Sequence, residues 1–246
     1  MSQAAPYLSV VVPAWEEEAR IGDGLGRMLA YLEGRSYSWE LIVVEDGSRD
    51  RTKALALEIL GGRPNARLLS YPERRGKGFG VRQGVLASRG RFVLFLDLDL
   101  SVPIETVEPA LADLERGWAA VIGSRRLPAS EIRAPQAWWR RAGSRIFSAL
   151  QRGAGLTDFS DTQCGFKALE GEAARRLLAR CEIDGFMFDV ELLALLAAEG
   201  ARIKELPVLW EDAAGSRFRP VPDSVRNFAD LFSLWRRLRH VRKGAR

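Results

Sequence analysis

The chain has 246 residues, 47% of them hydrophobic and 28% charged, with 23 glycines and 11 prolines, a make-up that excludes disordered and fibrous chains and fits one folded domain with a sizeable core. A single histidine, His240, nearly excludes a histidine-built metal site or a Ser-His-Asp triad, and two cysteines, Cys164 and Cys181, are too few for a disulfide framework. Residues 1–123 carry 15 Lys+Arg against 17 Asp+Glu, while residues 124–246 carry 22 against 15, so the net charge of +5 comes from the second half, which is expected to face something anionic.

Short apolar or β-branched runs predict strands at Leu8–Pro13, Glu40–Glu45, Ala66–Ser70, Arg91–Leu96 and Ala119–Gly123. Helical spacing predicts intervening helices at Ile21–Leu32, Thr52–Leu60, Phe79–Ala87 and Val107–Arg116. Strands alternating with helices of this length imply an α/β fold with a mostly parallel sheet, in which ligands gather at the carboxyl ends of the strands. Further on, Ala134–Arg152 reads as an aromatic and basic helix, Asp161–Lys167 as a compact turn, Gly171–Arg180 and Asp189–Glu199 as helices, and Arg202–Pro207 as a strand. The last segment, Ser224–Lys243, puts Val225, Phe228, Phe232, Trp235 and Leu238 on one helical face beside a cluster of cations. The expected organisation is one domain over residues 1–222 followed by a basic amphipathic helix over 223–246. Neither a secretion signal nor an apolar run of the roughly 20 residues needed to span a bilayer is read from the sequence.

Four strand ends carry polar signals. Pro13-Ala14-Trp15-Glu16 follows the first strand and Glu45-Asp46-Gly47-Ser48 the second. Asp97-Leu98-Asp99 follows the fourth: two carboxylates one residue apart are candidates to share a divalent cation through oxygen ligands, or to form a solvated turn. Gly123-Ser124-Arg125 ends the fifth. The run Gly76-Lys77-Gly78 lacks the spacing of a Walker loop, but Lys77 is a candidate point charge for a phosphate. No dinucleotide fingerprint follows the first strand, and no recognisable nucleic-acid motif accompanies the basic charge, so nucleic acid is not an expected partner. Cys164 has no histidine to activate it and is read as structural.

In order and spacing these segments resemble glycosyltransferase family 2, the inverting enzymes built on a nucleotide-sugar-binding sheet of GT-A type. Within that family Arg75-Gly76-Lys77-Gly78, Asp161-Thr162-Gln163-Cys164-Gly165-Phe166-Lys167, Phe188-Asp189-Val190-Glu191-Leu192-Leu193 and Leu206–Trp210 leading to Gly215-Ser216-Arg217 look like the dolichyl-phosphate β-glucosyltransferases. The resemblance implies that Pro13, Ala14, Glu16, Val44 and Asp46 meet the nucleotide, and that Asp97 and Asp99 hold Mg²⁺ or Mn²⁺ and the diphosphate. Lys77, Leu98, Arg125 and Gln163 would lie alongside, and Ser216 and Arg217 would close over phosphate. Three positions depart from the family pattern: Glu45 replaces an aspartate, Leu98 a small residue, and Ser101 stands where related mannose-transferring enzymes often have a glutamine.

The implied reaction passes glucose or a related hexose from UDP-sugar to polyprenyl or dolichyl phosphate. A phosphate acceptor, with a second pKa of about 6, is already nucleophilic near neutrality. A hydroxyl acceptor needs a general base, for which Asp161 and Asp189 are the candidates. Lacking a spanning segment, the chain is expected in the cytoplasm, peripheral at an anionic inner membrane face, held by its basic helices. The alternatives are transfer to a soluble acceptor such as phosphoglycerate, or a sugar-nucleotide pyrophosphorylase, which has a similar sheet.

Overall fold

The computed structural model describes residues 5–133, 148–211 and 220–243. Its sheet begins with β1 (Leu8–Ala14), β2 (Trp39–Asp46), β3 (Ala66–Tyr71) and β4 (Phe92–Leu96), linked by α1 (Ile21–Glu33), α2 (Thr52–Leu60) and α3 (Lys77–Ala87). β1 pairs in parallel with β2 on one side and β4 on the other, and β2 pairs in parallel with β3. β1, β4 and the centre of β2 (Leu41–Val44) are buried apolar runs rather than alternating ones, as expected of parallel strands covered on both faces. The strand order therefore reverses between β1 and β4, which makes the carboxyl ends of those two strands the natural place for a ligand.

After α4 (Val107–Glu115) and β5 (Ala120–Ser124) the chain makes a two-residue strand, β6 (Glu131–Ile132), and later β7 (Phe166–Glu170). β7 runs antiparallel between β4 and β5, giving the seven-stranded order β3-β2-β1-β4-β7-β5-β8, with β8 at Ile203–Pro207 parallel to β5. The sequence predicts only a turn through Lys167. β7 escapes the pattern because a lysine is the second residue of a five-residue run, yet Lys167 is fully buried. Since β7 runs opposite to its neighbours, its amino end meets the carboxyl ends of β4 and β5. The segment 161–165 thus reaches the same edge as the four predicted signals.

α5 (Gly171–Leu178) starts at a cap in which the Glu170 carboxylate accepts from the amides of Glu172 and Ala173 at 3.1 and 2.7 Å. α6 (Phe188–Ala198) is apolar nearly all round and buried. A short β9 (Leu209–Trp210) pairs with β6. α7 (Pro220–Lys243) closes the described chain. Two apolar clusters fill the two faces of the sheet. One lies under α1, α2 and α4, the other under α3, α5, α6 and α7.

The predicted faces of the last helix need correction. Leu231, Leu234 and Leu238 enter the core, while Phe228, Phe232 and Trp235 remain 50%, 60% and 36% exposed. Two apolar stripes coexist on this helix, adjacent at Leu231/Phe232 and Leu234/Trp235, and the packed interior takes the aliphatic one. The exposed Phe232 and Trp235 rings stack at 5.9 Å. Of the predicted helix Ala134–Arg152, residues 134–147 lie outside the described residues, and 148–153 are helical. Among the described residues no helix is long and apolar enough to cross a membrane.

Candidate active site

The turn after β4 brings its two carboxylates to the sheet edge with different partners. Asp97 Oδ1 pairs with Lys77 Nζ at 2.6 Å, and its amide donates to the Gly165 carbonyl at 3.1 Å. A Cβ on Gly165 would overlap Asp97 Oδ2, so only glycine lets the β7 lead-in come this close. Asp99 Oδ1 accepts from the Ser101 amide at 3.0 Å, and Oδ2 lies 3.6 Å from Arg20 Nη1. Burial works against the Lys77 ammonium, but Asp97, with Asp189 and Asp99, holds its pKa above the usual lysine value.

A second cluster is built on Asp46 at the end of β2. Its oxygens accept from the amides of Arg75 and Gly76 at 2.9 and 2.7 Å. Burial raises its pKa, which these amides and Arg74 oppose. Gly76 has φ +134°, and a Cβ there would overlap the Asp184 carbonyl. The Asp184 carboxylate in turn holds Arg75 at 3.0 Å and Arg82 at 2.5 Å. This loop therefore carries Lys77 to Asp97 on a backbone pinned from two sides. Beside it the Arg74 guanidinium lies 3.5 Å above the Trp15 ring, a flat cation–π surface formed by the loops after β3 and β1.

At the end of β5, Arg125 clasps Asp161 through Nε at 2.6 Å, Nη2 at 2.8 Å and its own amide at 3.0 Å. Burial alone would raise the Asp161 pKa, but Arg125 brings it down to about 2. A carboxylate so acidic and so fully engaged is a poor general base, and its evident work is orienting Arg125. Asp189 is buried in α6, 2.6 Å from the equally buried Lys167 Nζ. Burial raises its pKa despite Lys167 and Lys77. Buried and paired with Lys167, it is poorly placed for the base role too.

Other predicted residues divide between the edge and the interior. Pro13 and Glu16 are partly exposed at the end of β1, and the Glu16 amide donates to Ser48 Oγ at 3.0 Å. Gln163 lies on the lead-in to β7, its amide 3.3 Å from Asp161 Oδ1. Ala14, Val44 and Leu98 are buried in the core, so their side chains do not line the edge; only their backbone is available there. The core takes the apolar side chain wherever a strand end still lies beneath a helix. Ser216 and Arg217 lie outside the described residues.

Sequence reasoning misses Arg20, which one turn after β1 is held by Glu17 at 2.7 Å and aims at Asp99. Its signal is faint: a lone arginine opening an otherwise ordinary helix. Lys167 enters only as the end of the Asp161–Lys167 motif, without its burial in a strand, and Asp184 is missed because no local pattern marks it.

Two carboxylates one residue apart, partly exposed and offering only oxygen, suit a hard divalent cation whose remaining positions go to other oxygens. Among the described residues no cluster of three or more His, Cys, Asp or Glu side chains is placed to hold a metal. The pair therefore suits a hard divalent cation that takes further oxygens from elsewhere.

Comparison with known proteins is consistent along the chain. The family profile described as Glycosyl transferase family 2 matches residues 9–178. A dolichyl-phosphate beta-glucosyltransferase of Drosophila melanogaster is 35% identical over 241 residues, covering 93% of this chain and 74% of the relative. The Homo sapiens protein of the same description is 33% identical over 247 residues, covering 95% and 76%. In three dimensions the chain resembles a glucosyl-3-phosphoglycerate synthase of Mycobacterium tuberculosis solved with Mn²⁺, uridine diphosphate and glucosyl-3-phosphoglycerate. That match has a TM-score of 0.69 at 23% identity over 93% of this chain and 80% of the other, a likeness of fold. The same synthase was also solved with Mg²⁺ and uridine diphosphate.

Proposed function

The chain belongs to glycosyl transferase family 2 and is a hexosyltransferase of GT-A-like fold, and on that premise we propose that it moves glucose from UDP-glucose to a polyprenyl or dolichyl phosphate with inversion. The observation that carries this reading is the extent of the likeness to dolichyl-phosphate beta-glucosyltransferases, 32–35% identity over 92–95% of the chain. Family membership also removes the pyrophosphorylase alternative.

In this reading the uridine lies against the Asp46 loop and the Trp15–Arg74 surface, and the diphosphate between Lys77 and Arg20. Mg²⁺ or Mn²⁺ held by Asp97 and Asp99 would neutralise charge on the departing diphosphate. Asp161 fixes the Arg125 guanidinium so that its remaining N–H groups face an incoming phosphate. Such an acceptor, already ionised near neutrality, has no need of Asp161 or Asp189 as a base. The lipid is reached by peripheral attachment to an anionic bilayer. The exposed Phe228, Phe232 and Trp235 of α7, with exposed Arg236 nearby, suit the headgroup boundary.

Turnover of a panel of nucleotide sugars, with Mn²⁺ or Mg²⁺, against polyprenyl phosphate in anionic vesicles and against 3-phosphoglycerate in solution tests the reading. Selective use of UDP-glucose with the lipid is expected. The fold likeness to phosphoglycerate-using synthases keeps the soluble acceptor as a second reading, and faster turnover with phosphoglycerate would favour it.

Asp46→Ala is expected to weaken UDP binding about tenfold by calorimetry, because the amides of Arg75 and Gly76 lose charge-assisted acceptors worth up to about 2 kcal/mol each. Acceptor affinity should change much less. Equal losses for donor and acceptor would argue against a nucleotide role for this loop.

A further inference from the structure

The Lys77–Asp97 pair ties together two roles that the proposed function assigns separately. Lys77 Nζ sits 2.6 Å from one of the two carboxylates that suit a cation. It is the first residue of α3, on a backbone pinned by Asp46 and Asp184, so its reach is confined to this edge. The buried Asp189 acts on it electrostatically but is already matched by Lys167 at 2.6 Å. A divalent cation approaching Asp97 therefore competes with an ammonium. An ammonium pushed off Asp97 has lost its contact partner in a partly buried setting unless another anion arrives. A diphosphate meets the mirror situation, since Lys77 is available to it only at the expense of Asp97.

We propose, building on the donor reading above, that Lys77 is a shared counter-ion that makes cation and donor diphosphate bind as a pair, its Nζ passing from Asp97 to a diphosphate oxygen when both arrive. Each ligand alone breaks the Lys77–Asp97 pair and leaves one of its partners unmatched. Together they leave every charge matched: the cation takes Asp97, and the diphosphate takes both the cation and Lys77. Linkage requires the coupling to be reciprocal, so UDP strengthens cation binding by the factor by which the cation strengthens UDP binding.

Binding, measured without turnover, tests this. Mn²⁺ is titrated by the loss of its free electron paramagnetic resonance signal, with and without saturating UDP, for the wild type, Lys77→Met and Lys77→Arg. In the wild type UDP should tighten Mn²⁺ by about tenfold or more, a coupling of ordinary size. Lys77→Met removes the competitor, so Mn²⁺ alone should bind about tenfold tighter than to the wild type, and the effect of UDP should shrink to about threefold or less. Lys77→Arg keeps a cation with a bidentate fork, so Mn²⁺ alone should bind no tighter than to the wild type. It provides the contrast if the methionine variant fails to melt cooperatively. An affinity for Mn²⁺ alone that is unchanged or weaker in Lys77→Met, or one that rises in Lys77→Arg, overturns the shared counter-ion while leaving the donor reading intact. Absence of UDP binding to the wild type at any Mn²⁺ concentration overturns the donor reading and the coupling with it.

Discussion

Asp99→Ala should lower kcat/KM for hexosyl transfer by about a thousandfold, roughly 4 kcal/mol of transition-state stabilisation, with little loss of stability. Asp99 is the cleaner of the two carboxylates to remove. Its partner Arg20 is held independently by Glu17 at 2.7 Å, and its other contact is the amide of Ser101 at the partly exposed edge. Removing Asp97 would instead leave Lys77 without its ion pair. Two measurements belong together: initial rates in Mn²⁺ or Mg²⁺, and thermal melting of the same preparation. A variant that melts within a few degrees of the wild type yet retains more than a tenth of its rate in excess chelator would sink the assignment of Asp97 and Asp99 to a cation.

Arg237→Ala should destabilise the fold strongly for a residue at the carboxyl end. Its partner Glu191 is fully buried in α6 and also accepts the amides of Glu182 and Ile183 at 3.0 and 2.9 Å. Arg237 additionally pairs with Glu182 at 2.6 Å. Breaking a buried pair by removing one partner costs about 3 kcal/mol, because the other charge stays in the interior, and for a domain of this size that is a fall in Tm of about 6–12 °C. Adding Glu191→Gln to Arg237→Ala removes the stranded charge, so the double variant should melt above the single one. If the single variant melts within 2 °C of the wild type, this pair contributes nothing to stability. A double variant melting no higher would instead point to lost packing of the arginine stem.

The residues legible in the sequence are those whose chemistry and placement share one local cause. An apolar strand ending in Asp97-Leu98-Asp99 announces both a buried element and a polar edge, and the alternation of strands and helices places that edge opposite Asp46 and Arg125. The helix boundaries from Ile21 to Glu115 follow from periodicity within a residue or two. What stays hidden depends on distant partners. Lys167 becomes a strand residue only because Asp189, 22 positions later, compensates its charge in the interior. Asp161 reads as a candidate base until Arg125, 36 positions earlier, occupies both its oxygens. The inner face of α7 goes unread for a related reason: the helical pattern does not single out Leu231 and Leu234, and Leu238 turns inward with them. Phe232 and Leu231 are equally apolar neighbours, and the shape of the core beneath decides which one turns inward.

The antiparallel β7 has a consequence for how the molecule is assembled. β4 and β5 do not pair with each other. The strand that joins them, Phe166–Glu170, lies 42 positions beyond the end of β5 at Ser124. During synthesis the block β3-β2-β1-β4 can therefore close early, while β5 waits for a partner that has not yet been made. Throughout that interval the apolar strand Phe92–Leu96 lacks its neighbour on one side, an exposed edge of the kind that invites association between chains. When β7 arrives it joins β5 to the block and, through Gly165, sets its lead-in against Asp97. Joining of β4 to β5 and completion of the carboxylate edge are thus one late event, so a chain halted before residue 166 has neither.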